Sequence, residues 1–323
     1  MKDMITREET FRKAFELKKN ELAEKERKRS ILLNAAYASQ EKLKRIDAEL
    51  SALGASLAIN TLAAGESAVN DIKKRSAALS AEKKLILEKA GVEDIAFDCP
   101  VCRDTGYVNG KICGCVKKLA AAITVKELSA EMPIEDCRFD NFDLSYYPDM
   151  YDSDGCNPRR RMTSVLNFCR EYVSSFDPKT SDNLMFTGST GLGKTHLSLA
   201  VIYGVVEKGC IPVYGPAENL FSQIENERFK GENRGAYEAM TGCDLLVIDD
   251  LGAELDTKFS KSALYNLLNT RLLAGRPTVI NTNLTMKEIE ERYTPRISSR
   301  IIGGFKTFKF IGADIRQQKA IKG

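Results

Sequence analysis

"GSTGLGKT" occupies residues 188–195 and meets G-x-x-x-x-G-K-[ST] at every fixed position. The apolar run "NLMFT" (183–187) precedes it, and "HLSLAVIYGVV" (196–206), helical in length and pattern, follows. The motif carries a physical meaning only between a strand and a helix, and it has that setting here. Gly188, Gly191 and Gly193 allow the backbone to curl so that successive N–H groups converge on phosphate oxygens. The N-terminus of the following helix adds its positive dipole end. The loop residues between the glycines, Ser189, Thr190 and Leu192, belong to the same cradle. Lys194 is placed to reach the β- and γ-phosphates of ATP, and the Thr195 hydroxyl to ligate Mg2+. The bland alternative, a chance glycine-rich turn, leaves the correct flanks unexplained.

Further along, "LLVIDDLGAE" (245–254) places two carboxylates after four apolar residues. Asp249 at the strand end is expected to hold Mg2+ through water, and Asp250 stands where a general base for the attacking water belongs. An aspartate there is one methylene shorter than the glutamate of many related sites, so slow turnover is expected. Glu254, beyond the Gly252 turn, ranks as a fallback base. "VINTN" (279–283) ends a strand in Asn283, placed to sense the γ-phosphate or orient water. "TPRISSRI" (294–301) sets Arg296 and Arg300 four residues apart on one helical face. These are either solvated charges or groups offered to a neighbouring subunit's γ-phosphate.

From about residue 160 short apolar strands alternate with helical runs. The strands are "NLMFTG", "IPVYG", "LLVIDD", "PTVINTN" and "FKTFKF", an alternation that predicts a parallel α/β sheet. "MPIEDCRFDNFDL" (132–144) reads as an extended lead-in. Residues 1–92 contain no proline, and Leu43, Ile46, Leu50, Leu53 and Leu57 alternate spacings of three and four. Ile72, Leu79 and Ile86 continue at seven, beyond a turn at "AAGES" (63–67). This is the seam of a helical hairpin or coiled coil, self-packed or offered to a partner protein.

Between these halves lies "CPVCRDTGYVNGKICGC" (99–115), with Cys99 and Cys102 in a C-x-x-C and Cys113 and Cys115 in a tighter C-x-C. Four thiolates suit tetrahedral Zn2+ and leave no position open for water, so the predicted zinc is structural. The other five cysteines, Cys137, Cys156, Cys169, Cys210 and Cys243, are scattered and read as packing residues. His196, the one histidine, follows Thr195 at the nucleotide and is read as packing beside it, not as a base or ligand.

At 323 residues the chain has room for two or three domains. The expected division is 1–92 (helical), 93–132 (zinc element and linker helix) and 133–323 (ATPase). With 48 basic and 45 acidic residues, net charge does not announce a nucleic-acid binder. The start has no signal-peptide run, and the longest apolar stretch, 197–206, is too short to span a bilayer. Nine cysteines in that setting predict a soluble, cytoplasmic protein without a membrane partner.

Over residues 133–317, through "RFDNFDL", "GSTGLGKTH", "LLVIDDLGAE", "NTN" and "RISSRI", the sequence resembles the DnaC/DnaI-type bacterial helicase loaders, members of the AAA+ ATPases. "CPVCRDTGYVNGKICGC" resembles the cysteine element of loaders from Gram-positive bacteria. The resemblance implies a lidless AAA+ P-loop fold whose N-terminal region holds a hexameric replicative DNA helicase. It also implies self-association with ATP, binding of single-stranded DNA, and slow hydrolysis stimulated by DNA or partner. Lys194 and Thr195 match Walker A, Asp249 and Asp250 Walker B, Asn283 sensor 1, Arg300 the trans arginine finger, and Arg316 lies near sensor 2. "NERFKGENR" (226–234) and "DTKFSKS" (256–262) match regions of DNA contact, with Phe229, Lys230 and Phe259 as aromatic and basic candidates. An IstB-like transposition helper has a similar core but generally lacks the cysteine element. A non-catalytic zinc and coiled-coil scaffold is the reading from a third class.

Overall fold

The computed structural model describes residues 6–60, 66–129, 134, 136–151, 155–230 and 235–322. The chain divides into two compact units, residues 16–111 and residues 1–15 with 112–323. The boundary falls within the cysteine segment.

In the first of these units, helix α1 (Arg7–Ser39) leads into α2 (Glu41–Asn60) and α3 (Glu66–Lys89). The heptad-like seam is where α2 buries itself: Leu43 and Ile46 are buried, as is Leu79 of α3, while Leu50, Leu53 and Leu57 are half-buried. Ala36, Leu43 and Val92 form a small core with Tyr37 and Ile86 against them. Lys42 pairs with Glu82 and Glu49 with Arg75, opposite senses along α2 and α3, so the two helices are antiparallel; Asp47–Lys83 joins them between. Exposed pairs of this kind fix register more than they stabilise. The turn expected around Gly65 lies outside the described residues.

The larger unit is built on five parallel strands: β3 (Asn183–Thr187), β4 (Pro212–Pro216), β5 (Leu245–Leu251), β6 (Thr278–Thr282) and β7 (Phe305–Lys309). Their order is β4-β5-β6-β3-β7, which places the strand before the glycine loop inside the sheet. Both faces are covered, so the strands are apolar at successive positions instead of alternating. Leu184, Phe186, Leu245 and Val247 face a core completed by α5 (Pro158–Ser174) and α6 (Lys194–Glu207). Met185, Leu246, Ile248 and Ile280 face the opposite core, against α7 (Ala217–Lys230), α8 (Gly235–Gly242), α9 (Lys258–Leu273), α10 (Met286–Arg292) and α11 (Pro295–Gly304).

Two local features position the site. The β5–β6 register shifts between Ile248 and Leu251, so the chain bulges at the two aspartates. The lead-in is not extended where described; it forms short 3-10 turns at Phe139–Asn141 and Leu144–Tyr146. The Asp143 side chain accepts the Ser145 amide and starts the second. Helix α4 (Gly114–Ser129) follows the cysteine segment, and α12 (Ile315–Lys322) follows β7. Val116 and Ala120 of α4 pack with Phe11 and Ala14, so the first turns of α1 belong to this unit. Arg7 seals that contact on Asp244 at 3.2 Å. Among the described residues no helix is long and apolar enough to cross a membrane.

Candidate functional site

Gly188, Gly191 and Gly193 have φ of 136°, 73° and 85°, the region that favours glycine. Space restricts them as well. A Cβ on Gly188 would lie 2.4 Å from the Phe310 carbonyl oxygen, and one on Gly193 would lie 2.8 Å from the Phe142 ring.

Lys194 opens α6 and is buried. Its Nζ donates to Gly188 O (2.6 Å), Ser189 O (2.8 Å) and Asn283 Oδ1 (2.6 Å). Burial pulls the ammonium's pKa below its ordinary value, and Asp250 and Asp249 oppose that shift. Asp249 is 3% exposed, and both its oxygens are occupied. Oδ1 accepts from Thr195 Oγ1 (3.3 Å), Asn281 Nδ2 (2.8 Å) and the Asp250 amide (3.0 Å), and Oδ2 accepts from the Tyr214 hydroxyl. Ser198 Oγ donates to Asn281 Oδ1 at 2.8 Å and so orients that amide. Thr195 and Asp249, the expected magnesium residues, are therefore in contact. They offer the hard oxygen donors that Mg2+ takes alongside phosphates and water.

Asp250 sits on the bulge at φ 49°. A β-branched or bulky side chain is an outlier there, whereas aspartate is several-fold enriched among residues with positive φ. Partial withdrawal from water, followed by the neighbouring Asp249 charge, raises its carboxyl pKa above the ordinary value; Lys194 and Arg316 act the other way. A cleft of about 270 Å3 gathers the loop from Thr190 to His196 with Asp250, Asn283 and Arg316. Phe142, Tyr146 and Lys319 complete its wall. His196 Nε2 lies 2.9 Å from Arg138 O and its ring meets the Phe142 edge at 5.5 Å, beside the cleft that it also lines. Burial lowers its pKa.

Other candidates lie elsewhere. Arg300 on α11 stands against α9, donating to Asn269 Oδ1 (2.7 Å) and the Tyr265 hydroxyl (3.1 Å), away from this cleft. Arg296, one turn earlier, is exposed. Glu254, the fallback base, is corrected: it is buried and its carboxylate accepts from the Gly252 amide (2.7 Å) and the Tyr293 hydroxyl (2.5 Å) instead of lining the cleft. Phe229 is 81% exposed at the end of α7, and the Lys230 side chain lies outside the described residues. Phe259 is half-buried against the α9 core, with the Arg228 guanidinium 6.0 Å above its ring. The two segments singled out for DNA are thus neighbours in space.

Sequence reasoning missed Phe142, Tyr147, Tyr214 and Asn281. Tyr147 is fully buried and its hydroxyl donates to Leu192 O at 2.8 Å, pinning the lead-in to the glycine loop. A polar Asn281 within the apolar run "TVINT" was the one available signal, since a buried amide demands partners.

The cysteine cluster is local. Strands β1 (Tyr107–Val108) and β2 (Lys111–Ile112) meet at Asn109–Gly110, both at positive φ as a tight hairpin requires. The Sγ atoms of Cys99, Cys102, Cys113 and Cys115 all lie within 4.8 Å of one another. Zinc at about 2.3 Å from four sulfurs needs S···S edges of about 3.8 Å, which is compatible with that limit. The Asp104 carboxylate accepts the Asp98 and Cys99 amides, both at 2.9 Å, and fixes the entry to the knuckle. The cluster is able to hold a metal, and an all-sulfur set fits zinc.

The glycine cradle, the Thr195–Asp249 pair and the five-stranded parallel sheet define an AAA+-type P-loop nucleotide-binding fold. Residues 172–298 match the family described as IstB-like ATP binding protein. Over 143 residues the chain is 27% identical to the replicative helicase loader DnaC of Escherichia coli K12, covering 43% of this chain and 57% of that one. It therefore spans little more than half the length of that relative. The uncharacterized protein YqaM of Bacillus subtilis is 23% identical over 300 residues, 74% of this chain and 88% of that one. A crystal structure of the DnaC helicase loader superposes with a TM-score of 0.47 at 20% identity, over 55% of this chain and 99% of that chain. By these matches the chain is similar to the DnaC-type loaders and to the IstB-like ATP-binding proteins over its nucleotide-binding region.

Proposed function

We propose that this protein is an ATP-dependent helicase loader that binds a hexameric replicative DNA helicase and helps place it on single-stranded DNA. The observation that carries the reading is the 27% identity to DnaC over 143 residues, in a chain that also builds the nucleotide cleft described above. The N-terminal helices then serve as the helicase grip, and structural zinc in the cysteine cluster stiffens the segment that joins them to the ATPase. Phe229, Lys230 and Phe259 contribute to the DNA contact.

In this reading Lys194 and the loop amides hold the phosphates of ATP, and Thr195 and Asp249 hold magnesium, which would neutralise phosphate charge. Asp250, with its raised pKa, takes the proton of the attacking water. Asn283 orients that water from the end of the neighbouring strand β6. Arg316 borders the same cleft, and Arg300 serves the site of a neighbouring chain. Hydrolysis is slow alone and rises with DNA or helicase.

The test is a pull-down and loading assay with the host's replicative helicase on single-stranded DNA. Binding of the helicase and ATP-dependent deposition are expected. If neither occurs, the loader reading is wrong. The match to an IstB-like family favours a second reading, a transposition helper. Recovery of a transposase instead of a helicase would put that reading first.

A further inference from the structure

We infer that Glu254 is a positioning residue that sets helix α11, and with it Arg300, from the turn that ends the Asp249–Asp250 strand; the inference rests on the reading above, in which Arg300 serves a neighbouring site.

Glu254 is 3% exposed. A buried carboxylate is costly unless its oxygens are hydrogen-bonded, so its partners tell what it is for. One is the Gly252 amide, two residues beyond Asp250, at 2.7 Å. The other is the Tyr293 hydroxyl, at 2.5 Å, one residue before Thr294, where α11 begins. Arg292 strengthens the tie: its Nη2 donates to the Glu254 carbonyl at 2.5 Å, and its Nε stands 3.9 Å from Oε1. Gly252 has φ 104°, and a Cβ there would lie 2.6 Å from Leu284, so the turn cannot drift freely.

A second route starts from the same residue. Thr257, three positions on, caps α9, and Ser260 Oγ returns to the Leu255 carbonyl at 2.8 Å. Helix α9 carries Tyr265 and Asn269, the two side chains that hold the Arg300 guanidinium. Both supports of Arg300 therefore begin at the Glu254–Leu255 segment, which the Glu254 carboxylate ties to Gly252 and Tyr293 while Glu218 holds the Leu255 amide at 2.9 Å. The same carboxylate does not line the nucleotide cleft and cannot touch reacting atoms. A shift of the Asp249–Asp250 turn when magnesium and nucleotide bind is passed to α11 through this tie.

The test uses Tyr293→Phe in the full chain, with Glu254→Gln, of equal volume, as the second variant should the first fail to fold. Affinity for a non-hydrolysable MgATP analogue is expected within threefold of wild type, while turnover falls at least tenfold. Mixing experiments then assign the defect. Added Lys194→Ala chains, which keep a sound α11, restore turnover severalfold, whereas added Arg300→Ala chains do not. The reverse pattern, rescue by Arg300→Ala and none by Lys194→Ala, would mean that the tie serves its own cleft and would overturn the inference. Hydrogen exchange gives a readout free of catalysis. Amides of residues 294–304 should exchange faster in the variant, and unchanged exchange also sinks the idea. A Lys194→Ala and Arg300→Ala mixture without recovered turnover strikes instead at the trans role of Arg300, and so at the reading beneath.

Discussion

Lys194 and Asn283 are joined directly: the ammonium donates to Oδ1 across 2.6 Å, linking the start of α6 to the residue after β6. The other two acceptors of Lys194 are loop carbonyls, so three neutral oxygens share a charge that a phosphate takes more strongly. Lys194→Ala is expected to weaken MgATP binding at least a hundredfold, about 2.7 kcal/mol, by titration calorimetry. Asn283→Ala should leave affinity within about threefold and slow turnover at least tenfold, because its amide acts on the water and the outermost phosphate. Equal losses of affinity in both variants would contradict this division of labour.

Asp250 predicts a pH dependence. Its pKa is raised, first by burial and then by Asp249, so it picks up a proton at a higher pH than an ordinary aspartate. A base must be ionised to act. Turnover therefore holds above that raised value and falls as pH drops through it, with the acid limb above the ordinary carboxylate position. Asp250→Asn should bind MgATP normally, lose about 10²- to 10⁴-fold in turnover and lose the limb. Asp250→Glu restores length but places a residue that rarely visits positive φ at 49°, at a cost of about 1 kcal/mol. A thermal melt of that variant checks the strain.

The cysteine cluster should carry one zinc per chain. Cys99→Ser or Cys113→Ser removes one of four thiolates whose sulfurs already lie within 4.8 Å. Either is expected to lower zinc affinity at least a hundredfold and to release the metal to a chromogenic chelator within minutes. Asp104→Asn weakens the hold on the Asp98 and Cys99 amides and should lower affinity about tenfold, as loss of a supporting partner does. Cys156→Ser, at an exposed position outside the cluster, should leave metal content unchanged.

The elements that could be read in the sequence are those set by local chemistry. The glycine loop, Lys194, Thr195 and the aspartate pair announce themselves because phosphate and magnesium demand those residue types at close spacing. The five strands were legible because a doubly covered parallel sheet needs unbroken apolar runs. What stayed hidden depends on residues far apart in the chain. Nothing near Tyr147 in sequence reveals that its hydroxyl finds Leu192, and the left-handed bulge that favours aspartate at 250 exists only once β5 pairs with β6. Phe259, read from its neighbouring lysines as a DNA platform, also packs partly against the core around α9, which those lysines do not announce. Glu254 looked like a spare base because distance along the chain says nothing about which way a carboxylate turns.

Arg271 was invisible for the same reason. In "NTRLLAG" it reads as one more helix arginine, but it is fully buried between α9, α8 and the start of β6. Its guanidinium donates to Met240 O (2.7 Å), Cys243 O (3.2 Å), Pro277 O (2.6 Å) and Thr278 Oγ1 (2.9 Å). No carboxylate is among these partners. The fork instead adds donors to three carbonyls at strand and helix ends, of which Pro277 O also accepts the Leu246 amide (3.2 Å) and Cys243 O the Arg276 guanidinium (3.3 Å), and burial pulls its pKa below the usual arginine value. Removing it deletes these bonds from a charged donor, each of roughly 1.5–3 kcal/mol, part of which the remaining donors and entering water recover. Arg271→Ala should therefore destabilise the larger unit by about 2–4 kcal/mol in urea melts. Arg271→Lys should recover only a minor part, since a point ammonium cannot serve carbonyls spread around a planar fork. A lysine variant as stable as wild type would show that the charge, not the fork, is what the position needs.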